Sequence, residues 1–205
     1  DNSFGHKLLK GASIYIEYFS FTGNNENHQL QISNIIHAYR DIHSYYNTRE
    51  RSCGDNVSCD ETALYQDQGN SVIYLEMYQY ICSASLINNV NQDLTPYVLT
   101  AYHCVEEEGN LGAHNNFIFY FKHQSSSCNG TTGNYNYSRS GSYIRSWSSM
   151  SSSDFALLEM DDTPPASFDP YYAGWNRVSS IPTISVGIHH PGGAPKKINY
   201  DNDNA

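Results

Sequence analysis

From residue 53 onward, apolar and polar positions alternate in short runs broken by Asn, Gly, Ser and Pro. The runs cover residues 71–79, 84–88, 97–101, 116–121, 143–147, 155–160 and 183–189, each of strand length. Between them lie turn-forming stretches such as Asn88-Asn89-Val90-Asn91 and Pro191-Gly192-Gly193. This spacing predicts an all-β sandwich or barrel, with little room for the helices that a parallel α/β sheet requires. No internal repeat is apparent.

The first fifty residues read differently. Ile14, Ile16 and Tyr18 alternate with Tyr15 and Glu17, a period of two that predicts a strand with one buried face. A turn-rich stretch over residues 22–27 follows. Leu30, Ile32, Ile35 and Ile36 then supply the returning strand of a hairpin. Tyr46-Asn47-Thr48-Arg49-Glu50-Arg51 is either a linker with two arginines open to a basic-specific protease or an ordinary surface loop.

The chain has 205 residues, 39% hydrophobic and 14% aromatic, enough for one substantial core or two small ones. A formal net charge of -10, from 11 basic against 21 acidic residues, argues against nucleic acid, because phosphate binding needs Lys and Arg. No stretch approaches the roughly 18 apolar residues needed to cross a bilayer. The chain opens at Asp1 without Met or an apolar leader, so a preceding segment is expected to have been removed.

Five cysteines, Cys53, Cys59, Cys82, Cys104 and Cys128, fit an exported protein in which four pair and one seeks a partner outside the chain. Five buried thiols in a cytosolic protein are the alternative. Sequons begin at Asn56, Asn129 and Asn136 and matter only in a glycosylating host.

Candidate chemistry concentrates in two segments. In Leu99-Thr100-Ala101-Tyr102-His103-Cys104 an apolar strand ends in a small residue followed by a histidine and a cysteine. A histidine at a strand end is held yet open to a cleft, and a disulfide at the next residue would fix it. Cys82 is the natural partner, since Cys82-Ser83-Ala84-Ser85-Leu86-Ile87 reads as the preceding strand. In Ser153-Asp154-Phe155-Ala156-Leu157-Leu158-Glu159 an acid stands at the mouth of an apolar strand, 51 residues beyond the histidine. Such an aspartate can orient an imidazole through its Nδ1 proton while staying ionised. Taken singly, each has a plain alternative: a satisfied histidine beside a structural disulfide, and a strand-capping aspartate.

Together these segments resemble the trypsin-like serine proteases, and the fuller pattern resembles their bacterial lysyl endopeptidase branch. The matching elements are Cys53-x5-Cys59, the segments from Cys82 and from Pro96 to Cys104, then Cys128 and the Asp154 segment. Ala173-Gly174-Trp175-Asn176-Arg177 and Gly187-Ile188-His189-His190-Pro191 complete the set, in order, over about residues 53 to 200. The resemblance implies a double β-barrel fold with the active site between barrels, His103 as general base then acid, and Asp154 as its orienting partner. It implies disulfides Cys82–Cys104 and Cys59–Cys128, with Cys53 bonded to a cysteine beyond Ala205. Residues 1–52 would be the end of a pro-region or an accessory β-segment, and residues 53–205 the N-terminal part of the protease domain. The implied substrate is a peptide or protein, without cofactor, nucleic acid or membrane, and the protein would be a monomer that is secreted, periplasmic or extracellular.

One departure stands out. The nucleophilic serine of such a protease lies in a Gly-x-Ser-Gly turn whose amides form the oxyanion hole, and no such segment occurs in the chain. Ser140-Gly141-Ser142 precedes the aspartate, and Ser179 and Ser180 lack flanking glycines. The chain is therefore expected to stop before the nucleophile and most of the second barrel, and to be inactive alone. Lysine preference rests on resemblance only. The alternative is a catalytically inactive, protease-derived β-module with a binding role.

Other motifs carry less. His189 and His190 are neighbours on an expected strand and so point to opposite faces, a poor geometry for one metal ion. Glu106-Glu107-Glu108 is expected to be a solvated loop and is not an EF-hand. Trp175 and the many tyrosines could stack on sugars but more often fill barrel cores.

Overall fold

The computed structural model describes residues 5–7, 9, 11–19, 30–32, 35, 54–77, 80–106 and 113–202. The strands formed among these are β1 (Asp55–Asn56), β2 (Val72–Glu76), β3 (Ile81–Ile87), β4 (Tyr97–Thr100), β5 (Ile118–Phe121), β6 (Tyr137–Ser140), β7 (Ser142–Ser148), β8 (Phe155–Met160), β9 (Ser185–His189) and β10 (Lys197–Asp201). Two short helices, Gln66–Ser71 and Tyr102–Glu106, and a few 3-10 turns complete the list.

The larger sheet runs β6-β5-β2-β3-β4-β8-β7, with every pair antiparallel. Its two edge strands, β6 and β7, are consecutive in the chain and separated by a single residue, Gly141. The sheet must therefore curl until its ends meet, which makes it a barrel. Gly141 turns this corner with φ of 85°, in the left-handed region glycine occupies without steric cost. A Cβ there would also run into the Asp161 carboxylate.

Alternation along each strand fills the barrel. Leu86 faces Val98, Val98 faces Leu158, and Leu158 faces Ile144, so one apolar row crosses four strands. Ile73, Leu75, Phe119, Phe121 and Ala156 join the same buried cluster. The alternate positions of β2 and β5, facing away from that cluster, are also covered: Tyr74, Ile118 and Tyr120 form a second cluster on the outer face. This explains why both read as continuous apolar runs and not as strict alternation.

The smaller sheet, β1-β10-β9, packs through polar links. The His190 backbone N–H donates to Ser83 Oγ at 2.8 Å, and the Lys196 N–H donates to the His123 carbonyl at 3.0 Å. Ile198 is the wholly buried apolar residue of β10. β1 ends at Asn56, whose buried side-chain amide donates to the Cys128 carbonyl at 2.6 Å and the Gly130 carbonyl at 2.8 Å. This sequon asparagine is thus sealed inside the fold, whereas Asn129 and Asn136 are exposed.

The strand expected over residues 14–18 does not form among the described residues. Ile14, Ile16, Tyr15 and Glu17 are all exposed, so neither face is buried. Alternation specifies a strand only where a sheet or core covers one face, and a lone two-stranded hairpin does not supply that cover. Leu30, Ile32 and Ile35 of the expected returning strand are exposed and likewise outside any strand, while Ile36 and the linker over residues 46–51 lie outside the described residues. The Gly5 N–H, donating to the Asn115 carbonyl at 3.2 Å, ties the start of the chain to the barrel.

Candidate active site

β4 stops at Thr100, which lies opposite Ala156 near the start of antiparallel β8. The residues leaving β4 and those entering β8 therefore emerge at one end of the barrel. His103 lies not on the strand end itself but in the short helix Tyr102–Glu106 that follows it. Asp154 immediately precedes β8.

The two residues meet. The His103 Nδ1–H donates to Asp154 Oδ2 at 2.8 Å, and the His103 backbone N–H donates to Asp154 Oδ1 at 2.9 Å. A carboxylate only accepts, so a proton sits on Nδ1, and in the neutral ring Nε2 then carries the lone pair. These two bonds, the side-chain one first, hold the Asp154 carboxyl below the ordinary carboxylate range. The pair is half-open to solvent, with side-chain exposures of 45% for His103 and 33% for Asp154.

Local backbone fixes each partner. The chain is anchored beside His103 by the Cys82–Cys104 disulfide, with Cα atoms 6.4 Å apart. Asp154 adopts φ of 44°, a left-handed conformation that aspartate tolerates better than most residues. Its N–H donates to the Ser149 carbonyl at 3.0 Å and closes the serine-rich turn between β7 and β8. Tyr102 is buried and stacks on Trp147 of β7, ring centroids 4.5 Å apart and planes 13° from parallel. The periodicity of neither segment signals the backbone bond to Oδ1 or this stack.

A second disulfide, Cys59–Cys128, ties the segment just after β1 to the loop after β5. Cys53 lies outside the described residues. The ligand atoms of Cys82, His103 and Cys104 lie within 4.8 Å of one another, but both sulfurs are spent in the disulfide and cannot act as thiolate ligands. His190 is buried with Nδ1–H donated to the Ala194 carbonyl at 3.0 Å, while His189, on β9, is half-buried. Glu106 is exposed at the end of its helix, and Glu107 and Glu108 lie outside the described residues. The Trp175 indole N–H donates to the Asn88 carbonyl at 3.0 Å, which fastens its segment alongside β3. Ser142 is buried at the β6–β7 corner, and Ser179 and Ser180 are exposed.

A curled antiparallel barrel carrying a joined histidine and aspartate at one end, with a disulfide at the residue after the histidine, defines the trypsin-like class of protease folds. The model for the lysyl endopeptidase C-terminal domain matches residues 48–205, and the chain belongs to that family. A lysyl endopeptidase of Pseudomonas aeruginosa is 32% identical over 132 residues, covering 62% of this chain and 27% of that protein. The chain thus spans about a quarter of that relative's length. The crystal structure of Rv3671c from M. tuberculosis H37Rv, a serine-to-alanine mutant in its inactive form, aligns with a TM-score of 0.44 at 16% identity, covering 73% of this chain and 57% of that one.

Proposed function

We propose that this chain supplies the acid–base half of a serine endopeptidase site, with His103 as proton carrier and Asp154 as its orienting partner. The observation that carries the proposal is the 2.8 Å bond from His103 Nδ1 to Asp154 Oδ2, which leaves Nε2 basic on a half-exposed ring. In the reaction, Nε2 takes the proton of a serine hydroxyl as its oxygen attacks the peptide carbonyl. The same proton then passes to the leaving amine. The Asp154 carboxylate stabilises the imidazolium between those steps.

The substrate is a polypeptide, and the lysyl preference in the relative's name is the specificity we assign. The net charge of -10 favours encounter with cationic substrates. Two disulfides support the reading that the protein works in an oxidising compartment, outside the cell or in the periplasm. No helix among the described residues is long and apolar enough to cross a membrane.

The chain contains no Gly-x-Ser-Gly segment, so the nucleophile belongs to sequence outside these residues. Hydrolysis of lysyl, arginyl and alanyl peptide amides tests the proposal. The 205-residue chain should give none, and the longer protein carrying the serine should prefer the lysyl substrate. His103→Ala in that protein should lower kcat by about 10⁶. A variant that keeps the parental rate would remove His103 from the mechanism. A binding module with no chemical task has no need of an ionised aspartate joined twice to a half-exposed histidine, which favours the protease.

A further inference from the structure

Trp147 is a large aromatic residue left half-exposed at one end of the barrel, and core packing alone does not explain its placement. Its register does. β7 pairs with β8 as Ile144↔Leu158 and then as Ser146↔Leu157, so Arg145 is an extra residue in a bulge. Had the ladder run on without the bulge, Ser146 would stand opposite Ala156, and Trp147 would be displaced to the other face. With the bulge, Trp147 pairs with Ala156, the same residue that pairs with Thr100 on the far side.

Thr100, Ala156 and Trp147 thus form one row across β4, β8 and β7. Tyr102, two residues past Thr100, lays its ring parallel to the Trp147 indole, 4.5 Å away. His103 follows Tyr102 directly, and Asp154 stands two residues before Ala156. The stack therefore joins the segment that holds the histidine to the hairpin that holds the aspartate.

We propose that the Tyr102–Trp147 stack is a positioning element that holds His103 in register with Asp154. The proposal rests on reading that pair as catalytic, although its mechanical content does not depend on turnover. With both side chains open to water, their mutual bond competes with solvent, so its persistence depends on the backbone anchors. Cys104 supplies the anchor on one side of His103, and the stack supplies the one on the other. Trp147 touches no reacting atom in this role.

The test is ¹H NMR of the histidine-labelled 205-residue chain, reading solvent exchange of the His103 Nδ1 proton. Asp154→Asn identifies the resonance by shifting or removing it. Trp147→Leu keeps apolar cover but no stack, and it should speed exchange by about threefold to tenfold. Trp147→Phe should stay near the parental rate, and the amide spectrum of the barrel should not change in either variant. The carboxyl ¹³C titration of Asp154 in Trp147→Leu should move up toward the ordinary range. Parental exchange in folded Trp147→Leu overturns the proposal, as does an equally fast rate in Trp147→Phe. If Trp147→Leu does not fold, Trp147→Phe decides alone: parental exchange supports the stack and accelerated exchange overturns it. Failure of the catalytic reading would appear separately, as hydrolysis by the serine-bearing protein that survives His103→Ala.

Discussion

Both carboxylate oxygens of Asp154 are bound by one residue, His103, through its backbone N–H at 2.9 Å and its ring Nδ1–H at 2.8 Å. A single side-chain bond would let the ring swing about Cβ. The backbone bond adds a second point, fixing where the carboxylate lies relative to the histidine's own main chain. Under the proposed function, orientation is thus set before substrate arrives, which is where much of the rate of serine-protease sites originates.

Asp154→Asn should fold and yet fail in catalysis. The amide oxygen can keep the backbone N–H, but the amide nitrogen then faces Nδ1 as a donor. That forces the proton to Nε2, the atom that must accept from the serine. In the serine-bearing protein, kcat should fall by about 10⁴ with little change in melting temperature. A loss below about tenfold would show that Asp154 does not set the tautomer.

The Asp154 carboxyl also predicts an acid limit. Its folded pKa lies below the unfolded value of about 3.9, so the unfolded chain takes up this proton first. The contact therefore stabilises fully above the unfolded value and is lost as pH falls through the folded one. The His103 Nδ1 resonance should persist at pH 5 and disappear as the carboxyl protonates at pH values below the ordinary carboxylate range. Loss of the resonance already at pH 5, in folded protein, would contradict the pairing.

The two segments of the dyad are visible in the sequence because each is a local event, an apolar strand ending before His103 and another starting after Asp154. Their meeting is not local. It depends on β4 pairing with β8 across more than fifty residues, and only the family resemblance pointed to it. β6 and β10 carry Tyr-Ser-Arg-Ser and Lys-Ile-Asn-Tyr-Asp, polar segments that become strands because β5 and β9 offer them partners. Residues 14–18 show the converse, an alternation with no covered face.

The disulfides should separate stability from site geometry. Cys59–Cys128 closes a separation of 69 residues and Cys82–Cys104 one of 22, so the first constrains the unfolded chain more. Loop entropy gives about 4 kcal/mol for the longer and about 3 for the shorter. Double serine replacement of Cys59 and Cys128 should lower the melting temperature more. Replacement of Cys82 and Cys104 should disturb the His103 resonance more. If both pairs affect that resonance equally, the role assigned to Cys104 is wrong.

Asn56 should matter more to stability than its polar character suggests. Its buried amide serves the Cys128 and Gly130 carbonyls, which hold the loop after β5 against β1. Asn56→Ala leaves those acceptors unpaired and should cost about 1–3 kcal/mol in urea unfolding. A parental midpoint would mean that water replaces the amide there.

Lys196 gives the sharpest pH dependence expected in the neutral range. Its ammonium is wholly buried and donates to the Gly69 carbonyl at 2.6 Å. Burial first, and then repulsion from Lys122, pull its pKa from 10.5 to about 7. Between those values the unfolded chain holds a proton that the folded chain has released. Stability must therefore rise with pH across that window, by up to about 1.4 kcal/mol per pH unit. Burial also lowers the pKa of His190, but from 6.5 downward, so it does not titrate in this window. Urea midpoints of the parent chain should climb from pH 7 to pH 9, and those of Lys196→Met should climb much less. Parallel curves would mean that Lys196 remains charged inside the folded protein, with Gly69 and trapped water as its counterparts.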